Sequence, residues 1–341
     1  MSATSTTPEE HTPTGGAGEQ LTVAVTGASG RVGPALLSRL AASDSVAQIL
    51  ALGRHPTEEM SGLDKVEFRR VDVRDVDALG RALRGVDVVA HLAFSLYGIW
   101  QGEAELFETN VRGTANVARA AVAAGARRFV YTSSAAVYGG RSSSDPLPES
   151  AEMRAPGRLF YARHKTQAEL LVRKIVEDSS TELFVLRPCG IAGPHAAGAP
   201  ARHLTPGARR GVAGLMALAG RFGVLPAPPV PVQFVHEDDV AQAVELALLG
   251  DGPAGTYNLA GEGILDGEEA VRLLGARPLP VPRRVVSASL RMLLSLPPVI
   301  PALSWPALVI APVILDTRRA REQLGWKPRY SSAEALASTR G

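Results

Sequence analysis

With 341 residues the chain is long enough to bury a large core, in one domain or in two modest ones. Its 36 Lys and Arg against 34 Asp and Glu leave a net charge of +2, and no basic block stands apart from acidic residues, which argues against a nucleic-acid partner. A single cysteine, Cys189, excludes an internal disulfide framework and fits a reducing, cytoplasmic compartment.

Residues 1–20 are rich in Thr, Pro, Gly and Glu, with neither a basic start nor an apolar core, and read as a disordered tail instead of a signal peptide. Leu21 to Thr26 then has the pattern of a buried parallel strand, and Pro34 to Leu40 carries apolar residues at helical spacing. Three glycines separated by three residues lie between them. Gly27 turns the chain out of the strand, Gly30 lets backbone N–H groups approach a phosphate, and Gly33 lets the helix pack closely on the strand. Together with Ser29, Arg31 and Val32 they form a turn that presents a helix N-terminus to a pyrophosphate.

A second strand runs through Gln48 to Gly53 and ends at Arg54, where a carboxylate would bind the ribose hydroxyl of NAD. Arg54, flanked by Arg31, instead suits a 2′-phosphate, so the sequence favours NADP, with NAD as the runner-up. A third strand, Val66 to Val71, leads into Asp72 and Val73. Asp72 is placed to accept from an adenine amino group, and Asp75 to cap a helix over Val76 to Leu83. Val86 to Ala93 reads as a fourth strand whose His91 is a packed or backbone-bonded histidine. Glu103 to Ala124 reads as one long helix containing Asn110, and Arg127 to Thr132 as a fifth strand running into Ser133 and Ser134. Strands separated by helices of this length predict an α/β fold with a doubly wound parallel sheet.

Tyr161 and Lys165 stand four apart on one predicted helix face, and no other tyrosine of the chain has a lysine at that spacing. A phenol of pKa about 10 is a poor base at neutral pH, and a neighbouring ammonium that moves it by three pH units supplies about 4 kcal/mol. The phenol then serves as general acid–base for an alcohol–carbonyl pair. A serine hydroxyl after the fifth strand can hold the reacting oxygen.

Several motifs occur in one order: Gly27-xx-Gly30-xx-Gly33, Asp72-Val-Arg-Asp75, His91-Leu-Ala93 and Asn110-Val-Arg-Gly-Thr-Ala-Asn116. Ser133-Ser134-Ala-Ala-Val-Tyr-Gly, Tyr161-xxx-Lys165, Leu186-Arg-Pro188 and Val232-Gln-Phe-Val-His236 follow, with a closing Asp316 to Tyr330 segment. Over Leu21 to about Leu336 the chain resembles the extended short-chain dehydrogenase/reductase family, the NAD(P)-dependent epimerase/dehydratase group. The resemblance implies a Rossmann sheet with a smaller discontinuous C-terminal substrate domain. It makes Tyr161 the acid–base and Lys165 both its activator and a ribose ligand. Ser134, ahead of Ser133, would hold the substrate oxygen, and Asn110 would support the site through its helix backbone and a water. Pro188, Gly190 and Ile191 would shape the nicotinamide pocket, with Leu92, Ala93 and Ser133 also on the cofactor. Residues 21–188 and 234–261 are then the cofactor-binding domain, and 189–233 and 262–341 the substrate domain.

The pattern also departs from relatives that act on nucleotide sugars. Gly190 stands where they usually carry asparagine, Val232 where they commonly carry arginine, and Ala307 to Leu315 lacks a further arginine. Arg202, Arg209, Arg210 and Arg221 are the possible substitutes. Val285 to Leu315 is nearly uncharged and rich in proline, which argues against a transmembrane helix. Two readings stay open, an apolar lid over the substrate or a patch for a membrane surface or partner, with the lid favoured. His236 and Asp239 are expected to fix a chain crossing, and no metal cluster is expected. The helix Glu103–Ala124 and the Tyr161 helix resemble the pair through which the family often forms a homodimer.

The leading functional expectation is an NAD(P)-dependent oxidoreductase acting on a small hydrophobic alcohol or carbonyl compound. The alternatives are a nucleotide-sugar epimerase or dehydratase with tightly held NAD, and a non-catalytic NADP(H) sensor.

Overall fold

The computed structural model describes residues 20–95, 102–139, 145–154, 159–195, 223–282, 284–285, 288 and 313–340. The first four of the sequence-predicted strands occur as β1 (Leu21–Thr26), β2 (Val46–Gly53), β3 (Val66–Arg70) and β4 (Val88–His91), and the fifth as β5 (Arg128–Thr132). With β6 (Glu182–Pro188) and a later strand, Gly255–Leu259, they complete one sheet. Its order from that later strand is β6, β5, β4, β1, β2, β3, and every pairing is parallel.

Parallel neighbours need crossovers, and helices supply them on both faces. Val23 and Val25 turn to one face, with Leu36, Leu37 and Leu40 of α1 (Gly33–Ala42) and with Val240 and Val244 of the helix Glu237–Leu249. Ala24, Leu50 and Val89 turn to the other, with Leu79 of α3 (Val76–Ala82), Val117 of Gly113–Ala123 and Val172 of the helix Phe160–Val176. Burial on both faces explains why the strands read as continuous apolar runs.

The register aligns the carboxyl ends. Thr26 is level with His91, His91 with Tyr131, Thr132 with Leu186, and Pro188 with Leu259. The glycine turn, Leu92, Ser133 and Cys189 therefore leave the sheet along one edge, with the strand order reversing between β1 and β4. Beyond it lie two short parallel pairs, Gly190–Ala192 with Phe234–His236 and Val224–Ala227 with Arg277–Pro280.

Three details differ from the sequence expectation. The long helix is α over Glu103–Phe107, a wider π turn over Glu108–Arg112, and α again over Gly113–Ala123. Phe234–His236 pairs with Gly190–Ala192 outside the main sheet. The segment Arg318 to Trp326, read from sequence as part of the smaller domain, places Ala320, Leu324 and Trp326 in the core cluster that holds α1 and β1. His236 caps the helix Glu237–Leu249 by accepting from Asp238 N at 3.1 Å, and Asp239 accepts from Arg329 N at 2.9 Å, as a chain-crossing clamp should.

Candidate active site

At the carboxyl edge of the sheet lies a cavity of about 500 Å³. Its first wall is the glycine turn. Gly27 has φ +73°, and a Cβ there would come within 2.5 Å of Ala93 N, so only glycine lets β1 turn against the end of β4. Gly33 does not line the cavity; its Cβ would meet Ala28 O at 1.9 Å, which makes it the contact between helix and turn. Ser29, Gly30, Arg31, Val32 and Pro34 line the cavity. The α1 N-terminus has no side-chain cap and no acidic residue in its first turn, so its dipole and N–H groups are left for an anion.

Arg54, at the end of β2, lines the same wall, as do Asp72 and Val73. Arg74 grips the Asp72 carboxylate, with its backbone N at 2.9 Å and Nη2 at 2.7 Å. That pairing holds the Asp72 carboxyl below its usual range, so Asp72 is an anchor for Arg74 as well as an acceptor at the cavity wall. Leu92, Ala93 and Phe94 line the cavity after β4, and Pro188, Cys189, Gly190 and Ile191 after β6. Burial pushes the Cys189 thiol far up, so Cys189 stays a thiol packed in the wall.

Tyr161 and Lys165 project from α6 (Phe160–Val176) into this cavity beside Ser134. The Tyr161 ring meets Phe94 edge to face at 5.4 Å. Lys165 is 4% exposed; its Nζ donates to Thr132 O at 2.7 Å and lies 4.0 Å from the Phe94 ring centroid. Burial, opposed by the Glu169 charge, pushes Lys165 down to about 7.

The geometry separates the two serines. Ser133 Oγ, although beside the cavity, donates to Glu169 Oε2 at 2.7 Å. Ser134 Oγ accepts from Ala136 N at 3.1 Å, which leaves its own proton to donate. Asn110 is fully buried and outside the cavity lining. Its Oδ1 accepts from Ser95 N at 2.7 Å and its Nδ2 donates to Ser95 O at 2.9 Å, while its carbonyl accepts from Thr114 Oγ1 at 2.7 Å. Asn110 therefore holds the segment after β4, and its carbonyl, with one of two lone pairs engaged, can still accept from a water. Of the two expectations for His91, packed or backbone-bonded, the packed one fits: the ring is buried and stacks near Phe129 and Tyr131, and it bonds the side chains of Thr26, Oγ1 at 2.6 Å, and Thr114, Oγ1 at 2.9 Å.

Sequence reading stopped short of Glu169, one further step of four beyond Tyr161 and Lys165, whose spacing was the available signal. It also missed Phe94 and the cavity-lining His195, whose Nδ1 meets Glu237 Oε1 at 2.5 Å. The four candidate arginines from Arg202 to Arg221 lie outside the described residues. So does the apolar stretch 285–315 except Val285, Ala288 and residues 313–315; Val313 lines the cavity. Among the described residues there is no metal-ligand cluster and no helix long and apolar enough to cross a membrane.

A parallel sheet reversing at β1 and β4, a glycine turn at that edge and a Ser–Tyr–Lys set facing it define an enzyme of the short-chain dehydrogenase/reductase superfamily. Residues 23–260 match the NAD dependent epimerase/dehydratase family, and the chain belongs to it. Uncharacterized protein Rv0501 of Mycobacterium tuberculosis is 30% identical over 331 residues, covering 92% of this chain and 82% of that protein. The 2-alkyl-3-oxoalkanoate reductase of Shewanella oneidensis is 32% identical over 232 residues, 66% of this chain and 56% of that protein. The same fold occurs in WbmG of Bordetella bronchiseptica, solved with NAD, at TM-score 0.69 and 21% identity over 95% of this chain and 94% of that one. DesIV of Streptomyces venezuelae, a dTDP-glucose 4,6-dehydratase solved with NAD, aligns at TM-score 0.68 and 24% identity over 94% and 95% of the two chains.

Proposed function

We propose that the chain is an NAD(P)-dependent oxidoreductase that moves hydride to or from a hydroxyl/carbonyl carbon of a small hydrophobic substrate. The observation that carries the reading is the meeting of the glycine turn, Ser134, Tyr161 and Lys165 in one cavity. The residues present fit a dinucleotide: the Gly27 cradle and the uncapped α1 terminus suit its pyrophosphate. In this reading Asp72, Val73, Leu92 and Ala93 take the adenosine side, and Pro188, Gly190 and Ile191 the nicotinamide side. Arg54 and Arg31 favour the 2′-phosphate of NADP. When bound, the nicotinamide supplies or accepts the hydride. Tyr161 Oη gives or takes the proton, the Lys165 ammonium stabilises the phenolate, and Ser134 donates to the reacting oxygen. Asn110 acts through Ser95.

Support for this substrate class comes from the remaining wall. Among the described residues, arginines line the cavity only as Arg31, Arg54 and Arg74, which follow β1, β2 and β3. Leu159, Pro231, Val232, Phe234 and Val313 offer an apolar surface, with the polar side chains of Gln233 and His195 also lining the cavity and no further arginine among the described residues to pair a diphosphate. Steady NADPH consumption with a panel of apolar ketones is the expected activity. Tyr161→Phe should lower it by about 10²–10⁴-fold while leaving NADPH affinity unchanged. A Tyr161→Phe enzyme that still turns over removes Tyr161 from the chemistry. Tight UDP-sugar binding without net NADPH consumption would replace this reading with a nucleotide-sugar epimerase or dehydratase.

A further inference from the structure

Tyr161, Lys165 and Glu169 recur at every fourth position of α6 and so share one face. Glu169 is fully buried and lines no part of the cavity. Its carboxylate is nonetheless the meeting point of three elements. Ser133 Oγ and Arg187 Nε donate to Oε2 at 2.7 and 3.2 Å; Arg173 Nη2, at 2.7 Å, and Arg187 Nη2 donate to Oε1. Arg187, on β6 and also buried, continues to Tyr138 Oη at 2.8 Å, and Tyr138 donates to Asn258 Oδ1 at 2.7 Å. Burial would raise the Glu169 carboxyl, but the Arg187 contacts, with Ser133 and Arg173, hold it below the usual carboxylate range.

We propose that Glu169 is a positioning residue of the active site: one carboxylate that pins the Ser133 hydroxyl, and with it the Ser134 turn, while keeping a counter-charge one helical turn from Lys165. The proposal rests on the roles given above to Ser134 and Lys165. Lys165 is faced by Tyr161 and Glu169 on its own helix, by neutral His91 on β4, and by the Phe94 ring after it. From β5 come Tyr131, its ring centroid 5.2 Å from Nζ, and the Thr132 carbonyl; Arg187 of β6 stands beyond Glu169. Among these groups Glu169 is the anion, and its charge opposes the burial that drives Lys165 toward neutrality.

The chain has only four lysines, Lys65, Lys165, Lys174 and Lys327, so lysine labelled with ¹³C at Cε gives one assignable signal each. The Lys165 signal is the one missing from Lys165→Met. In Glu169→Gln its titration midpoint should fall by about one pH unit or more, the effect of removing an adjacent opposite charge. Carbonyl reduction should lose roughly tenfold in kcat with NADPH Kd unchanged. Glutamine leaves Arg187 buried without its counter-charge, so Glu169→Gln/Arg187→Gln is titrated beside it, and a lowered midpoint in either folded variant supports the proposal. A midpoint unmoved in every variant that folds overturns it. Failure of both variants to fold also overturns it, leaving Glu169 a residue of stability alone. A lowered midpoint with kcat unchanged would sustain the charge-setting role and instead remove Lys165 from the reaction, so the two readings fail separately.

Discussion

Two threonines fix the protonation of His91. Thr114 Oγ1 gives its proton to Asn110 O, so it must accept from His91 Nε2, and His91 Nδ1 accepts the Thr26 hydroxyl. Burial, and next the Lys165 charge, push His91 down to about 3. An unfolded histidine titrates near 6.5, so between the two values the unfolded chain binds one proton more than the folded one. The stability held by neutral His91 is present above about pH 6.5 and is lost on acidification, by about 1.4 kcal/mol per pH unit down to about 3. Urea unfolding of the parent and of His91→Gln should therefore diverge over that window, the parent falling faster; parallel curves would refute it. Arg54 makes a second prediction at this scale. It is exposed at the cavity rim, whereas Arg74 is committed to Asp72. Arg54→Ala should weaken NADPH binding by roughly 10–100-fold, the worth of a charge-assisted contact, and NADH binding little. Equal losses would defeat the NADP assignment. The sequence made Tyr161 and Lys165 legible because their spacing alone puts them on one face. Thr26, Thr114, Ser133 and Arg187, which partner His91 and Glu169, lie on other elements, where no local pattern points.

The β1–turn–α1 element was readable because its glycines occupy fixed steps between a strand pattern and a helix pattern, and each has a physical task. Gly33 carries the sharpest one, since a Cβ there would sit 1.9 Å from the Ala28 carbonyl oxygen, a backbone atom that can move only if the turn opens. Gly33→Ala should cost roughly 1–3 kcal/mol in chemical unfolding and weaken dinucleotide binding with it. Gly80, inside α3 with nothing within 4 Å of its added Cβ, is the control: Gly80→Ala should stabilise by up to about 1 kcal/mol. Equal effects at the two glycines would show that the Ala28 contact carries no weight. The π turn at Glu108–Arg112 was not readable, because its use is remote. It turns Asn110 back to Ser95, and the helix resumes at Gly113, where a Cβ would lie 2.5 Å from Val73 Cγ2. Apolar periodicity registers neither partner.

At the scale of the whole molecule, the doubly wound parallel sheet followed from alternation of strands and helices, but the destination of the last segment did not. Trp326 is fully buried in the core cluster of α1 and the Glu237–Leu249 helix, and its Nε1 donates to Asp239 O at 2.8 Å. Asp239 also accepts from Tyr330 N at 3.2 Å, and the His236 ring stacks on Tyr330 at 3.8 Å. The same segment begins at the cavity wall with Val313, and Leu315 N donates to Gln233 Oε1 at 2.8 Å beside the apolar lining. One end of residues 313–340 thus touches the apolar cavity wall and the other is locked into the core beneath the sheet. Trp326→Ala should cost about 3–5 kcal/mol, the range for emptying a buried aromatic site. Because that site belongs to the sheet's own core, fluorescence and far-UV circular dichroism should still report a single shared unfolding transition. A separate early transition confined to the C-terminal segment would mean that it folds as an independent unit. In the variant that remains folded, KM for the carbonyl substrate should rise more than NADPH Kd, since the loosened segment reaches the cavity through Val313 and through Leu315 on Gln233.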